Sequence, residues 1–429
     1  MNMSEKRPCK EISLAALALA LLSLLLPRIS HALTLDEAMA LAEKNLPSYL
    51  AARQELHSSE ELYKASLSPY LPSLDAGTRQ EYLTGTLRDD YLGSYDVTLS
   101  YTLFDGGRRR AGRNIAGLNL DSSREELARS LLELKFDVKA AFYTAVARLD
   151  IVEERKTQLK YAEKDLEVAR GRHRMGVAKL SDVLQASVRH EQARYNLVLG
   201  EGEYRNALAD INSLIGKQLD ETAPLQGSLD LEPRLPDMQT LRDLTLQRPE
   251  IRQAENAVDI ARNNRKLELS AFYPVLTAST SYNRLEGRAI SIAPQEETSV
   301  GLRVTWNIFE LGKFYRTKAS EFQINASEEN LNETLRLVLL NLSKAREDYV
   351  TASRNISVAQ EQLRQAEQNY SQAFGEYSVG KSDILSLVQA ESFLATAREQ
   401  LVRSRLGLML SKALLERATG IDNLETLVP

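Results

Sequence analysis

The sequence predicts a mixed α/β membrane protein in which each chain supplies four transmembrane β-strands and long coiled-coil helices. Three observations carry this. One plan is written twice, at a spacing of 202 to 205 residues. Each copy holds a heptad-like helical pattern far longer than a globular domain needs. Each also holds alternating strands of the length that crosses a bilayer.

The duplication rests on five landmarks in one order. Pro47 and Pro249 each open an apolar-periodic helix. "SPYLPSLDA" (68–76) matches "SAFYPVLTA" (270–278), and "YTLFDGG" from Tyr101 matches "WNIFELG" from Trp306. "MGVAKLSDVLQA" (175–186) matches "VGKSDILSLVQA" (379–390), and helices in both halves run out at a glycine, Gly216 and Gly420. The expected organisation is a leader at 1–32, a first repeat at 33–216, a linker at 217–240, a second repeat at 241–420 and a tail at 421–429.

The leader has a basic start (Lys6, Arg7, Lys10), an apolar run from Ile12 to Leu26 and a small-x-small site at Ser30–Ala32. Leu33 is then the expected mature N-terminus. The only cysteine, Cys9, would leave with the leader, so the mature chain is expected to have no disulfide and no thiol chemistry. After Leu33 no stretch is apolar enough for a transmembrane helix. A net charge of −5, with 43% hydrophobic and 26% charged residues, argues against a basic nucleic-acid binder and against wholesale disorder.

Within each repeat the order is helix, two strands, a very long helix, a turn and a return helix. The strands are expected at 70–84 and 95–104, and at 273–284 and 298–309. Tyr95, Val97, Leu99, Tyr101 and Leu103 share one face, with Asp96, Thr98, Ser100 and Thr102 on the other; Val300, Leu302, Val304, Trp306 and Ile308 repeat the pattern. Aromatics at the ends of the apolar face suit an interfacial girdle. Four strands cannot close a membrane barrel, so two or three chains must share one.

The long helix of the second half carries apolar residues from Leu331 to Ala373 at strictly alternating spacings of 4 and 3, a supercoil signature. The first half shows the seam less perfectly. Gly107 to His173, if one helix, would be about 100 Å long. Both long helices stop at a glycine, Gly176 and Gly380, and tips are expected near 174–182 and 378–386. Ser181 and Asp182 suit the first turn of a new helix.

The three histidines of the expected mature chain, His57, His173 and His190, stand isolated, and neither a phosphate loop nor a nucleophile motif is present. No catalytic residue, cofactor or metal is expected. Two function classes remain: a passive conduit, and a non-conducting structural coiled-coil protein of the cell envelope. Strands with aromatic ends favour the conduit. Arg108, Arg109 and Arg110, just below the girdle, suit either a solvated collar or contact with outer-membrane lipid heads.

These features resemble the TolC family of outer-membrane efflux proteins over the whole mature chain. The resemblance rests chiefly on "YTLFDGG" with "WNIFELG", the two tip motifs with "DVLQA" and "LVQA", and the duplication. It implies a homotrimer with a 12-stranded outer-membrane β-barrel continuous with a periplasmic α-helical barrel. It also implies a periplasmic adaptor docked on the tips and an inner-membrane RND-, ABC- or MFS-type exporter. Adaptor docking then falls on Gly176, Val177, Ser181, Asp182, Gly380, Lys381 and Ser386. The gate candidates are Asp182, Tyr377, Lys381 and Asp383, with Lys381 expected to pair with Asp182. The family's gate arginine falls on Ser382, and its acidic ring falls on Ser386 and Gln389. The membrane junctions are Tyr101, Phe104, Gly107 and Arg108, and Trp306, Phe309 and Gly312.

Overall fold

The computed structural model describes residues 32–84, 90–222, 224–287 and 295–427; residues 1–31 of the expected leader at 1–32, with Cys9, and the loop segments 85–89 and 288–294 lie outside them. The chain runs α1 (Leu35–Asn45), α2 (Pro47–Ala65), β1 (Ser73–Leu83), β2 (Asp90–Phe104), α3 (Arg108–Arg174) and α4 (Leu180–Ile215). It continues with α5 (Met238–Thr245), α6 (Pro249–Ser270), β3 (Val275–Gly287), β4 (Gln295–Thr305), α7 (Leu311–Ser378) and α8 (Ile384–Thr419). Thr34 opens α1 with a capping box, its hydroxyl accepting from the Glu37 amide and the Glu37 carboxylate from the Thr34 amide. Pro47 then breaks the path and starts α2, because proline donates no amide and holds Leu46 extended.

The four strands form one antiparallel sheet in the order β1-β2-β3-β4. The register aligns Leu74, Leu99, Thr280 and Val300 in one row and Tyr101, Ala278 and Leu302 in another, all on one face. Rows such as Asp75, Thr98, Ser281 and Ser299 lie on the other. Val300, 85% exposed, and Leu302, 71% exposed, show how openly the apolar face is presented. All four strands differ from their expected bounds; β3 runs 275–287 rather than 273–284, β4 starts at 295 rather than 298, β1 ends at 83 rather than 84, and three other ends have a visible cause. β1 starts at Ser73 rather than 70, because Ser68–Tyr70 closes a 3-10 turn and Pro72 cannot donate to a ladder. β2 reaches back to Asp90 because its pairing with β1 runs on to Leu83. β4 ends at Thr305 rather than 309, because its last partner is Val275, the first residue of β3, just after Pro274.

Helices α3 and α7 have 67 and 68 residues, so each is about 100 Å long. Among the described residues no helix is long and apolar enough to cross a membrane. Near the sheet the helices pack side by side as α2-α3-α6-α7, and toward the tips as α4-α3-α8-α7. This explains the blurred seam of the first half. α3 has neighbours on both sides and buries a wide set that includes Lys139, Arg155, Gln158 and Asp165, whereas α7 is flanked on one side only and keeps a narrow heptad stripe. Midway along, Phe142, Val138 and Ile211 form a core with α1 and with the 217–237 segment, whose Leu229 is buried. Gly227 is required there, since a Cβ would sit 2.7 Å from the Phe142 ring. A second mid-length core joins Leu241, Leu342, Leu408 and Leu424. A third, near the tips, joins Leu166, Tyr370, Tyr377, Ile384, Leu387 and Leu394.

Candidate functional site: the membrane junctions and the hairpin tips

The two crossings from sheet to helix are built differently. In the first, Gly106 and Gly107 take left-handed φ values of 67° and 91°. Asp105 then caps α3: its carboxylate accepts from the Gly107 amide at 3.1 Å and the Arg109 amide at 2.9 Å. This anion sits where the helix dipole favours it. A Cβ on Gly106 would lie 2.8 Å from the Ser270 carbonyl oxygen, so the C-terminus of α6 is pressed against this turn. Arg109 turns inward. It donates to the carbonyls of Thr102 (2.7 Å) and Leu103 (3.2 Å), pairs with Asp105 and lies over the Tyr70 ring. The three arginines are therefore not one collar: Arg109 staples the strand end to the helix start, while Arg108 and Arg110 stay exposed. Phe104 is exposed beside them.

In the second crossing the chain runs irregularly from Trp306 to Glu310, and Gly312 lies inside the first turn of α7 rather than at a release point. The Trp306 indole donates to the Phe272 carbonyl at 3.1 Å, and Phe309 is exposed. Lys313, buried, takes the part Arg109 plays in the first copy by donating to the Asn307 carbonyl at 2.6 Å.

Both tips close with the same glycine turn. Gly176 and Gly380 have φ of 75° and 82°. The amides of Val177 and Lys381 reach back to the carbonyls of Arg172 and Glu376 at 3.0 and 2.8 Å, the longer-range bond of a Schellman cap. Met175, Val177, Leu180 and Leu385 are exposed around them. Ser181 donates to Asp182 in the first turn of α4. Asp383 caps α8 through the Ser386 amide and hydroxyl, at 2.9 and 2.8 Å, which holds its carboxyl below the usual range.

The expected pairing of Lys381 with Asp182 is not formed: Asp182 accepts from Ser181, and Lys381 is engaged through its backbone. The cation that reaches Tyr377 is Arg172, from α3. Its guanidinium lies over the Tyr377 ring, 4.4 Å from the centroid, and donates to the Tyr377 carbonyl. Tyr377 is 1% exposed, and its hydroxyl is buried with no hydrogen-bond partner among the described residues. Burial raises its pKa, Arg172 opposes the rise and Asp182 adds to it, so Asp182 faces the same group. Sequence reasoning missed Arg172. The duplication signalled it only nearly: with the tip glycines in register at 204, Arg172 matches Glu376, one residue before Tyr377.

Comparison with known proteins agrees with this geometry. The family described as outer membrane efflux protein matches residues 38–217 and 240–421. The pyoverdine export outer membrane protein OpmQ of Pseudomonas aeruginosa is 25% identical over 397 residues, covering 89% of this chain and 83% of OpmQ. Outer membrane protein TolC of Escherichia coli is 20% identical over 421 residues, covering 93% of this chain and 85% of TolC. The solved structure of CusC superposes with a TM-score of 0.80 at 16% identity, over 90% of this chain and 92% of that one. The chain belongs to the outer membrane efflux protein family: it is a non-enzymatic channel protein of the outer membrane whose helices reach into the periplasm.

Proposed function

We propose that three copies close one duct, whose barrel opens outside the cell and whose helical tips form a periplasmic entrance. The observation that carries this is a shared incompleteness of sheet and wall. β1 and β4 are both edge strands, and unpaired strand edges do not persist in hydrocarbon. The helical wall ends just as abruptly, with α2 and α4 on one side and α7 on the other. Within the chain α8 packs along α3, but among the described residues α4 and α7 make no comparable interface. On α4, Leu184, Val188, Tyr195 and Val198 form an exposed apolar stripe at helical spacing, which fits α7 of a neighbouring copy. Three copies give twelve strands, the count that the family resemblance implies.

The tips at Gly176–Asp182 and Gly380–Ser386 form the surface for a periplasmic adaptor, which couples the duct to an inner-membrane RND-, ABC- or MFS-type exporter. Arg172 over Tyr377 is the latch that holds the two hairpins of one protomer together, with Asp182 beside it. Lys381 and Asp383 flank this latch, Asp383 as a helix cap. An adaptor opens the tip only to the extent that it binds the open form more tightly than the closed one. Single-channel recording of the purified protein tests the reading. Discrete conductance steps that grow more frequent in Arg172→Ala support it. Silence from both proteins would favour the structural coiled-coil alternative.

A further inference from the structure

About 16 Å before the first tip, four polar side chains, one from each long helix, meet inside packing made mostly of alanine and leucine. Tyr370 of α7 donates its hydroxyl to Asp165 of α3 at 3.0 Å. Arg189 of α4 donates to Glu391 of α8. Asp165 is 4% and Glu391 2% exposed, and the second carboxylate oxygen of Glu391 has no hydrogen-bond partner among the described residues. The cluster therefore holds two buried carboxyls against one paired cation. Lys164, the neighbouring cation on α3, is held over the Phe374 ring at 4.2 Å, and Tyr161 packs edge-on against Tyr370. If both carboxyls were ionised, one negative charge would lie in apolar surroundings with only a phenol to meet it, a costly arrangement.

We propose that Asp165, Tyr370, Glu391 and Arg189 form a proton-loaded clasp that fastens the two hairpins of one protomer above the tips, tight in acid and loosened in alkali. The reading rests on the tips being the closed end of the duct. Four groups set the charge balance around Asp165: Tyr370 from α7, Glu391 from α8, Arg189 from α4 and Lys164 on its own helix; Tyr377, nearer the tip, in turn feels the Asp165 charge. Burial is the largest influence and raises the Asp165 pKa. Glu391 adds to it, while the Tyr370 hydrogen bond, Lys164 and Arg189 oppose it, and the net is a carboxyl pushed up to about 7. An acid whose pKa is raised in the packed state carries its proton there and loses it when solvated. The clasp is thus strongest below the ordinary value of 3.8 and weakens as pH rises toward 7. Each pH unit in that window shifts the balance between fastened and separated hairpins by up to about tenfold per protomer.

The test uses the assembled protein in bilayers and protons as the only ligand. Infrared spectra of wild type should show a protonated-carboxyl band at about pH 5.5 that is gone by about pH 8.5 and missing in Asp165→Asn at both values. Open probability should rise several-fold over the same interval in wild type, while Asp165→Asn, permanently neutral, stays at the acid level. If Asp165→Asn does not assemble, Tyr370→Phe serves: it removes a hydrogen bond to the carboxylate, so the band should persist to higher pH. A wild-type band or pH response that survives unchanged in Asp165→Asn, or a midpoint unmoved in Tyr370→Phe, overturns the clasp. A titrating band in a protein that never conducts supports the clasp and contradicts the duct.

Discussion

Replacing Gly106 by alanine should damage the first membrane junction, while the same change at Gly107 should be tolerated far better. Both glycines have positive φ, which costs an L-residue about 1–2 kcal/mol. They differ in what a Cβ would meet. At Gly107 nothing lies within 4 Å. At Gly106 the Cβ would sit 2.8 Å from both the Ser270 carbonyl oxygen and the Tyr273 Cβ, and neither can rotate away. Forcing atoms into such a site adds about 1–3 kcal/mol, so Gly106→Ala should cost about 2–5 kcal/mol in all. The strain falls on the contact that presses α6 against the turn between β2 and α3, where Asp105 and Arg109 also act. Denaturant unfolding of the purified, detergent-solubilised protein should rank wild type first, Gly107→Ala second and Gly106→Ala last. Equal midpoints for the two alanine variants would refute the reasoning, because the left-handed backbone alone would then account for both.

Other predictions follow from the same structure. Arg172→Ala removes a cation–π contact of about 0.5–2 kcal/mol and a charge-assisted hydrogen bond of about 1.5–3 kcal/mol. Channel open probability should therefore rise at least about tenfold, since about 1.4 kcal/mol is a factor of ten; bilayer recording checks this. Valine at both Gly176 and Gly380 should strain the two Schellman turns and stop export from cells while oligomers still reach the outer membrane, as read by substrate accumulation and by blots of membrane fractions. Lys139→Ala would take from buried Glu416 its close cation, the Lys139 ammonium at 2.6 Å, leaving the Leu424 amide at 2.9 Å and the Lys412 ammonium at 4.0 Å. Breaking a buried pair from one side costs about 3–5 kcal/mol, so this variant should unfold at clearly lower denaturant than wild type.

The architecture was legible because long, strict periodicity is the strongest signal a sequence carries. The heptads of α7, the alternation in β2 and β4 and the two tip glycines each stand alone without tertiary context. Strand ends were less legible, since β4 stops where its partner β3 begins, and that depends on Pro274 in a distant segment. The polar interior was not legible at all by period. Asp165, Arg172 and Glu391 are ordinary charged residues in the sequence, and only the neighbouring helices that cover them make them part of the interior. The duplication led only close to them: with the tips in register at 204, Asp165–Tyr370 and Arg172–Tyr377, at 205, miss equivalence by one residue, and Arg189–Glu391, at 202, by two. Asp105 carries no capping signal in the sequence, because its role depends on the two left-handed glycines that follow it.

The central claim is that this chain is one segment of a closed export duct whose periplasmic end is held by its own hairpins. Single-channel recording of the purified wild type and Arg172→Ala in planar bilayers tests it most directly. The account predicts discrete steps of one unit size in both proteins, rare in wild type and frequent in the variant. No steps from either protein, or steps of equal frequency in both, would contradict it.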